Sequence, residues 1–359
     1  MKTNHNNFLK LAFNIAKINL GKTSFNPSVG CVVVKDDSVI ASGCTSLKGR
    51  PHAEYNALNS NKKFDNSDLY VTMEPCTHYG ISPPCTNIIS KKGIKRVYFS
   101  FYDVDKRTAK KSKPVLFKKK IKTYRKNLKN FNKFYESYFF TRKNYTPYID
   151  AKIAISKDFY TIKKNRSKWI TNNLSRDRAH LIRSEYEGII STSKSINKDN
   201  SLLNCRINGL DGNKPDLIII DRKLKINRNL KIFKYKNRRK IFVVTTVTKN
   251  RKISFLKRKG VKMIYIKSLE SKNDFKSLFK TLRNYNFNRI IVESGLIFLN
   301  KLIKNNMIFN LYLFKSSNTL NKMGKNNISN RFIKKIKLTK KINVNLNGES
   351  IYKVKFKHV

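Results

Sequence analysis

Four residues at short, fixed spacings constrain this chain more than anything else in it. His52 and Glu54 stand two positions apart, and two prolyl-cysteines, Pro75-Cys76 and Pro84-Cys85, follow. Zinc takes nitrogen and thiolate ligands in a tetrahedral site, and a catalytic site keeps one position open for water. His52, Cys76 and Cys85 can supply three ligands. Glu54 is not needed as a ligand and is placed to move protons to and from that water. Any fold of the first part of the chain must bring these side chains together.

Each piece also has an ordinary reading. A lone histidine is usually a surface or core residue, and a cysteine is often a small buried apolar one. The combination, in order and in its local context, favours a metal site. Pro51 suits the first position of a helix running from His52 to Leu58. Leu69–Met73 reads as a strand leading into Glu74-Pro75-Cys76, and Cys85 begins a helix that ends near Gly93. Ligands at helix N-termini feel the positive end of the dipole, which favours thiolate over thiol.

The pattern matches the H-x-E…P-C-x-x-C signature of zinc base deaminases, with one departure. Eight residues, Thr77 to Pro84, separate the cysteines where that signature has two. This extended loop, together with Asn26-Pro27-Ser28-Val29-Gly30-Cys31-Val32-Val33-Val34 and Pro51-His52-Ala53-Glu54, closely resembles the bifunctional riboflavin-biosynthesis deaminase–reductases, the RibD family. The resemblance covers nearly the whole chain. It implies an N-terminal domain that deaminates a phosphoribosylated diaminopyrimidinone with zinc. A C-terminal domain would then reduce the ribose of the product to a ribityl chain with NADPH. The fold implied is a three-layer αβα cytidine-deaminase-like domain followed by a dihydrofolate-reductase-like α/β domain.

The 359 residues suit two domains. Five cysteines form no even disulfide framework, which fits a reducing, cytoplasmic compartment. Near the N-terminus Leu9, Phe13, Ala16 and Leu20 alternate with Lys10, Asn14 and Lys17, as in an amphipathic helix rather than a signal peptide. No apolar stretch approaches the roughly 20 residues that span a bilayer. The net charge of +56 would by itself suggest nucleic acid. Its lysines, however, are spread along the chain with an excess of Asn and Ile, not gathered in a basic–aromatic motif. Drift in an AT-rich genome explains that distribution better, and no nucleic-acid partner is expected. A homo-oligomer acting on a small phosphorylated substrate is expected instead.

Strands read at 29–35, 38–44, 68–73 and 95–100, with helices near 6–20, 52–60 and 84–92. A helical stretch lies around Phe131–Phe140, and Thr146-Pro147 breaks the pattern, so the domain boundary falls near 145, dividing 1–145 from 146–359. The second half alternates again. Strands read at 148–155, 187–192, 216–221, 240–246, 262–266 and 288–293, with short runs at 309–315 and 350–356. Helices read near 174–185, 272–284 and 296–305. Asn318–Asn330 reads as a surface loop.

The resemblance also implies site residues. In the first domain Asn26 would hold substrate beside catalytic Glu54. Ile81 occupies a loop position often basic in the family, leaving Arg50 or Lys48 to take the substrate phosphate. In the second domain Ser167, Arg183, Leu203, Arg206 and Glu293 fall on substrate positions, the two arginines suiting a ribose phosphate. Ala154, Trp169, Ser195, Asp199 and Gly295 fall on cofactor positions. A strand–turn–helix at Gly295 would hold cofactor phosphate at a helix N-terminus, although a plain strand–helix connection reads the same way; Trp169 could be a core aromatic, but its place inside a matched segment favours the cofactor role.

The departures gather in this second domain. Phe159 and Tyr160 replace a Gly-Arg pair, and a Phe cannot cheaply take the positive φ of a glycine, so the turn is expected to differ. Asn200-Ser201 replaces Asp-Pro, Arg222 a small hydroxyl residue, and Leu296-Ile297 a more polar helix start. Two competing readings follow: a deaminase whose second domain only scaffolds, and, less favoured, a tRNA or DNA base deaminase.

Overall fold

Two glycines that face opposite ways set the layers of the first unit. The computed structural model describes residues 4–164, 169–210, 215–234, 239–329 and 331–356. The chain divides into two units, Met1–Tyr145 and Thr146–Val359. In the first, β1 (Gly30–Lys35) lies antiparallel to β2 (Ser38–Cys44) and to β3 (Asp68–Met73). The strands β4 (Arg96–Phe101) and β5 (Lys122–Arg125) continue the sheet parallel to β3, in the order β2-β1-β3-β4-β5.

Directly opposed residues of an antiparallel pair point to the same face. Cys31 pairs with Gly43 and Gly30 with Cys44, so the two glycines face opposite sides. A Cβ on Gly30 would lie 1.9 Å from the Ala12 carbonyl oxygen of helix α1 (His5–Ala16). A Cβ on Gly43 would lie 2.6 Å from the Ala53 carbonyl oxygen of α2 (Ala53–Leu58). Each glycine thus lets one helix backbone touch the sheet, and the sheet is sandwiched between them. The apolar run Cys31–Val34 is buried on both faces, as this arrangement requires. α3 (Cys85–Lys91), α4 (Ser112–Lys118) and α5 (Glu136–Asn144) complete the unit. Just before α5, the buried Tyr135 donates its hydroxyl to the Ser28 carbonyl (3.0 Å) and accepts from Thr72 Oγ1 (2.6 Å).

The second unit is built on an eight-stranded sheet. Its elements are β6 (Tyr148–Ile155), β7 (Ile162–Lys163), α6 (Asn173–Ser184), β8 (Gly188–Thr192), α7 (Ser193–Asp199), β9 (Asp216–Ile220) and α8 (Lys231–Lys234). Then come β10 (Ile241–Thr245), α9 (Arg251–Arg258), β11 (Lys262–Tyr265), α10 (Lys272–Asn284), β12 (Arg289–Val292) and α11 (Leu296–Lys304). β13 (Asn310–Lys315), β14 (Gly324–Lys325), α12 (Arg331–Lys334) and β15 (Ser350–Lys355) follow. The order is β11-β10-β9-β8-β12-β6-β13-β15, and only the β13–β15 pair is antiparallel. After β11 the chain returns to insert β12 between β8 and β6. In open α/β sheets such a reversal leaves a crevice at the strand C-termini, where ligands bind.

Period-two alternation assigns the faces of β6. Ile149, Ala151, Ile153 and Ile155 join one core with Phe275 and Leu278 of α10 and Leu299 of α11. Lys152 and Ala154 look the other way, toward the core built on Ala179 and Ile182 of α6. α10 begins with a capping box in which Ser271 and Asp274 satisfy each other's backbone N–H groups.

The fold class is as expected from the sequence, with local corrections. The first helix ends at Ala16, and a 3₁₀ turn carries the chain to Asn19. Asn318–Asn330 is more than a loop, because Gly324 and Lys325 pair with Lys163 and Ile162. Phe159 does adopt the glycine-like conformation, with φ 70°, contrary to the expected change of turn. A non-glycine residue there costs about 1–2 kcal/mol. Packing holds it: the ring lies on the core under the Lys315 ammonium, 4.7 Å from the ring centre. Beside it, Asp158 accepts from the Leu320 and Asn321 backbone N–H groups.

Candidate active sites

In the first unit His52 caps α2 and Cys85 opens α3, while Cys76 follows β3 by three residues. The ligand atoms of His52, Cys76 and Cys85 all lie within 4.8 Å of one another. Zinc bonds of about 2.3 Å to sulfur and 2.0–2.1 Å to nitrogen, at tetrahedral angles, separate ligand atoms by about 3.6 Å. Cys76 Sγ and Cys85 Sγ stand 3.6 and 3.4 Å from His52 Nδ1. These separations match the edges of a zinc cage. The donor set therefore fits zinc.

The Cys76 thiol is held well below the usual thiol range, first by the Cys85 side chain and then by His52 and the Cys85 backbone N–H, which donates to Cys76 Sγ at 3.2 Å. The Cys85 thiol is raised by the same pairing and by burial, so metal binding must also displace its proton. Glu54, on the first turn of α2, is buried, and burial raises its carboxyl to about 7. A carboxyl poised there can both take and return a proton near neutral pH.

Glu74 positions what surrounds this pocket. Its buried carboxylate accepts from the backbone N–H groups of Asp103 and Lys110 (both 2.9 Å) and from Ser112 Oγ (3.0 Å). The loop so anchored meets the inter-cysteine loop, where Thr77 donates to the Arg107 carbonyl and His78 Nδ1 lies 3.0 Å from Thr108 Oγ1. Asn26 donates its side-chain amide to the Gly49 carbonyl (2.8 Å) on the segment leading into His52. Among the described residues, one N–H and the amide oxygen of Asn26 make no other hydrogen bond, leaving them for a ligand.

In the second unit Glu293, just past β12, forms a buried fork with Arg183 of α6, Nε–Oε1 2.5 Å and Nη2–Oε2 2.9 Å. Lys152 Nζ lies 3.4 Å from the same carboxylate. Burial opposes the charge on Glu293, but Arg183 and Lys152 hold its pKa down to about 2. Burial lowers the Lys152 pKa, with Glu293 opposing. Arg183 Nη1 donates to the Asn204 carbonyl (3.1 Å). His180 donates from Nδ1 to that carbonyl (2.7 Å), a tautomer inferred from the acceptor; burial and then Arg183 lower its pKa to about 4, leaving it neutral.

The two arginines expected to grip a phosphate stand differently in the structure. The Arg183 fork is occupied by Glu293. Arg206 is the exposed one, its Nη1 donating to Asn204 Oδ1 at 3.0 Å. Leu203 holds φ 50° between them, and the buried Arg239 straps that segment by donating to the Leu203 carbonyl (2.7 Å) and the Leu202 carbonyl. Lys152, Asn204 and Arg239 were not singled out from sequence. Lys152 had a signal, a lysine in a strand whose other charged residue is Asp150 alone, whereas Arg239 lies in a lysine- and arginine-rich run that masks it.

The cofactor positions converge only in part. Gly295 is the N-cap of α11, and a Cβ there would meet only Ser195 Oγ, at 3.8 Å. Its φ of −66° demands no glycine either. Among the described residues, the missing side chain leaves open space between the starts of α7 and α11, at the ends of adjacent strands, a cradle that fits a dinucleotide phosphate. Ala154 stands two residues beyond Lys152 on the same face of β6, and Asp199 ends α7 one turn beyond Ser195. Trp169 is 57% exposed with the Arg176 guanidinium 4.9 Å over its ring, so it is no core aromatic. Ser167 lies outside the described residues. Among the departures, Asn200 takes φ 45° and accepts from the Lys231 N–H, Arg222 pairs with Glu270, and Leu296 is buried while Ile297 is exposed.

Residues 147–338 match the RibD C-terminal domain, and residues 2–101 the cytidine and deoxycytidylate deaminase zinc-binding region. The chain is 31% identical to the riboflavin biosynthesis protein RibD of Aquifex aeolicus, over 86% of this chain and 85% of that one. It is also 31% identical to the RibD protein of Buchnera aphidicola, with the same coverage. A solved Thermotoga maritima structure is similar with TM-score 0.82, 25% identity and 98% of each chain covered. That protein is described as a diaminohydroxyphosphoribosylaminopyrimidine deaminase and 5-amino-6-(5-phosphoribosylamino)uracil reductase.

Proposed function

The chain belongs to the RibD family of bifunctional deaminase–reductases of riboflavin biosynthesis, and from that premise we propose which residues carry each half-reaction. Residues 1–145 deaminate the phosphoribosylaminopyrimidine, and residues 146–359 reduce the ribose of the product. The observation that carries the reading is the cage-edge spacing of His52, Cys76 and Cys85 beside a buried Glu54.

His52, Cys76 and Cys85 hold zinc, which when bound activates water and polarises the ring position under attack. Glu54 takes a proton from that water and returns it to the departing amine, and its buried, raised carboxyl suits both transfers. Asn26 holds the pyrimidine with the amide groups not used on Gly49. In the second unit NADPH supplies hydride. Gly295 and Ser195 border its phosphates, with Ala154, Trp169 and Asp199 along the rest of it. Ser167, Leu203 and Arg206 contact substrate. Arg183 and Glu293 form the buried floor of this pocket and orient Lys152, the ammonium suited to donate a proton to the ribose. Family membership and the open cradle at Gly295 favour this over a purely scaffolding second unit.

The same reading places the protein in the cytoplasm as a homo-oligomer without a nucleic-acid partner. All five cysteines are free, no helix among the described residues is long and apolar enough to cross a membrane, and Phe117 exposes a large apolar surface. Light scattering at physiological salt tests the assembly, and a monomer would contradict it.

Arg206→Ala removes a charge-assisted contact to the ribose phosphate. Such a contact is worth about 1.5–3 kcal/mol, so reduction of the deaminated intermediate is expected to fall roughly tenfold to a hundredfold in kcat/KM. Deamination by the same preparation should be unchanged. Equal loss in both half-reactions would remove Arg206 from the reductase site.

A further inference from the structure

The inter-cysteine loop, Thr77 to Pro84, carries no Lys or Arg, yet the proposed deaminase substrate is a phosphate ester. Its apex is apolar and open, with Ile81 89% exposed and Tyr79 74% exposed. A cation reaches it from outside. Arg50, two residues before the ligand His52, donates from Nη1 to Ser82 Oγ on the loop. A methyl group placed on Gly80 would lie 3.5 Å from Arg50 Nη2 and 4.0 Å from His78 Nε2. The guanidinium edge and the imidazole edge therefore flank one exposed position above Gly80. His78 is turned there because its other ring nitrogen, Nδ1, is engaged by Thr108. Lys48, the other nearby cation, is exposed and makes no hydrogen bond to the loop among the described residues.

We propose that Arg50 is the specificity-determining residue for the phosphate of the deaminase substrate, gripping it with Nη2 together with His78 Nε2 over Gly80. The proposal rests on the deaminase reading above. One edge of the guanidinium is used to pin the loop at Ser82, and the remaining N–H groups keep the planar fork that suits phosphate oxygens. Two residues of chain span at most about 7 Å. The fork therefore sits within a side chain's reach of the metal ligand, as a ribose phosphate attached to a metal-facing ring requires. The absence of a side chain at Gly80 keeps the approach open.

The test compares deamination of the phosphoribosyl substrate with that of its phosphate-free ribosyl analogue, in zinc-loaded full-length protein, for wild type, Arg50→Ala, Arg50→Lys and Ser82→Ala. Bound zinc is measured in each. The ratio of kcat/KM for phosphorylated over phosphate-free substrate is expected to fall about tenfold to a hundredfold in Arg50→Ala. Arg50→Lys, which keeps the charge and loses the fork, should fall part of the way. Ser82→Ala should keep most of the preference, because it frees the loop and spares the cation. An unchanged ratio in both Arg50 variants, or an equal loss on both substrates, would make Arg50 a loop anchor only and overturn the inference. Wild-type protein that deaminates neither compound would instead sink the deaminase reading, and this inference with it.

Discussion

Glu54→Gln is expected to keep zinc bound and the first unit folded while slowing deamination by about 10²–10⁴-fold, the usual contribution of a positioned acid–base group. The separation of roles follows from geometry. The three ligand atoms come from His52, Cys76 and Cys85, so an amide at position 54 removes none of them. Gln fills the same buried volume and accepts hydrogen bonds, but it cannot take a proton from water or return one to an amine. The same variant should reduce the deaminated intermediate at the wild-type rate, because no residue assigned to reduction lies in the first unit. Metal analysis and separate assays of the two half-reactions check this. Deamination within a few-fold of wild type would remove Glu54 from the chemistry. Loss of zinc would show that its role is to shape the metal site.

The second large effect is on stability. Glu293→Ala should destabilise the second unit by about 3–5 kcal/mol, the cost of leaving buried charge without its partner. Arg183 loses both arms of its fork and Lys152 loses its counter-charge in one substitution. Arg183 is left with the Asn204 carbonyl, to which the neutral His180 also donates. Denaturant unfolding of the full chain, read on the transition of the second unit, measures the loss. A change below about 1 kcal/mol would place the pair in a far more hydrated setting than its burial implies.

These two expectations differ in how readily sequence revealed their residues. The zinc residues were legible because the chemistry is written locally: a histidine and glutamate on one helix turn, and two prolyl-cysteines at a strand end and a helix start. The pocket around Glu293 is written nonlocally. Lys152, Arg183, Asn204 and Glu293 meet only because the chain returns to insert β12 between β8 and β6. Resemblance named Arg183 and Glu293 but gave them separate duties, and only the coordinates show them engaged with each other. Strands with apolar runs, such as Leu217–Ile220 or Ile241–Val244, announced themselves. β5 did not, because Lys122-Thr123-Tyr124-Arg125 is an edge strand and mostly exposed. α9 was hidden by its charges, since only Ile253 and Leu256 are buried in a helix otherwise rich in Lys and Arg. Phe159 marks a different limit. Propensity argued correctly that its conformation is costly, but the cost is met by contacts from residues far along the chain, notably Lys315 and the 320–321 backbone.

The central claim is that one chain carries both activities in sequence, and product identification tests it most directly. Zinc-loaded wild-type protein is given the phosphoribosylated diaminopyrimidinone, with and without NADPH, and the products are identified by mass. Without NADPH the expected product has exchanged one amino group for oxygen, with ammonia released and water consumed. With NADPH that product should gain two hydrogens on its ribosyl chain while NADPH is oxidised in equal amount. A deaminated product that stays unreduced in the presence of NADPH, from protein that binds no NADPH, would contradict the account and leave the second unit as a scaffold.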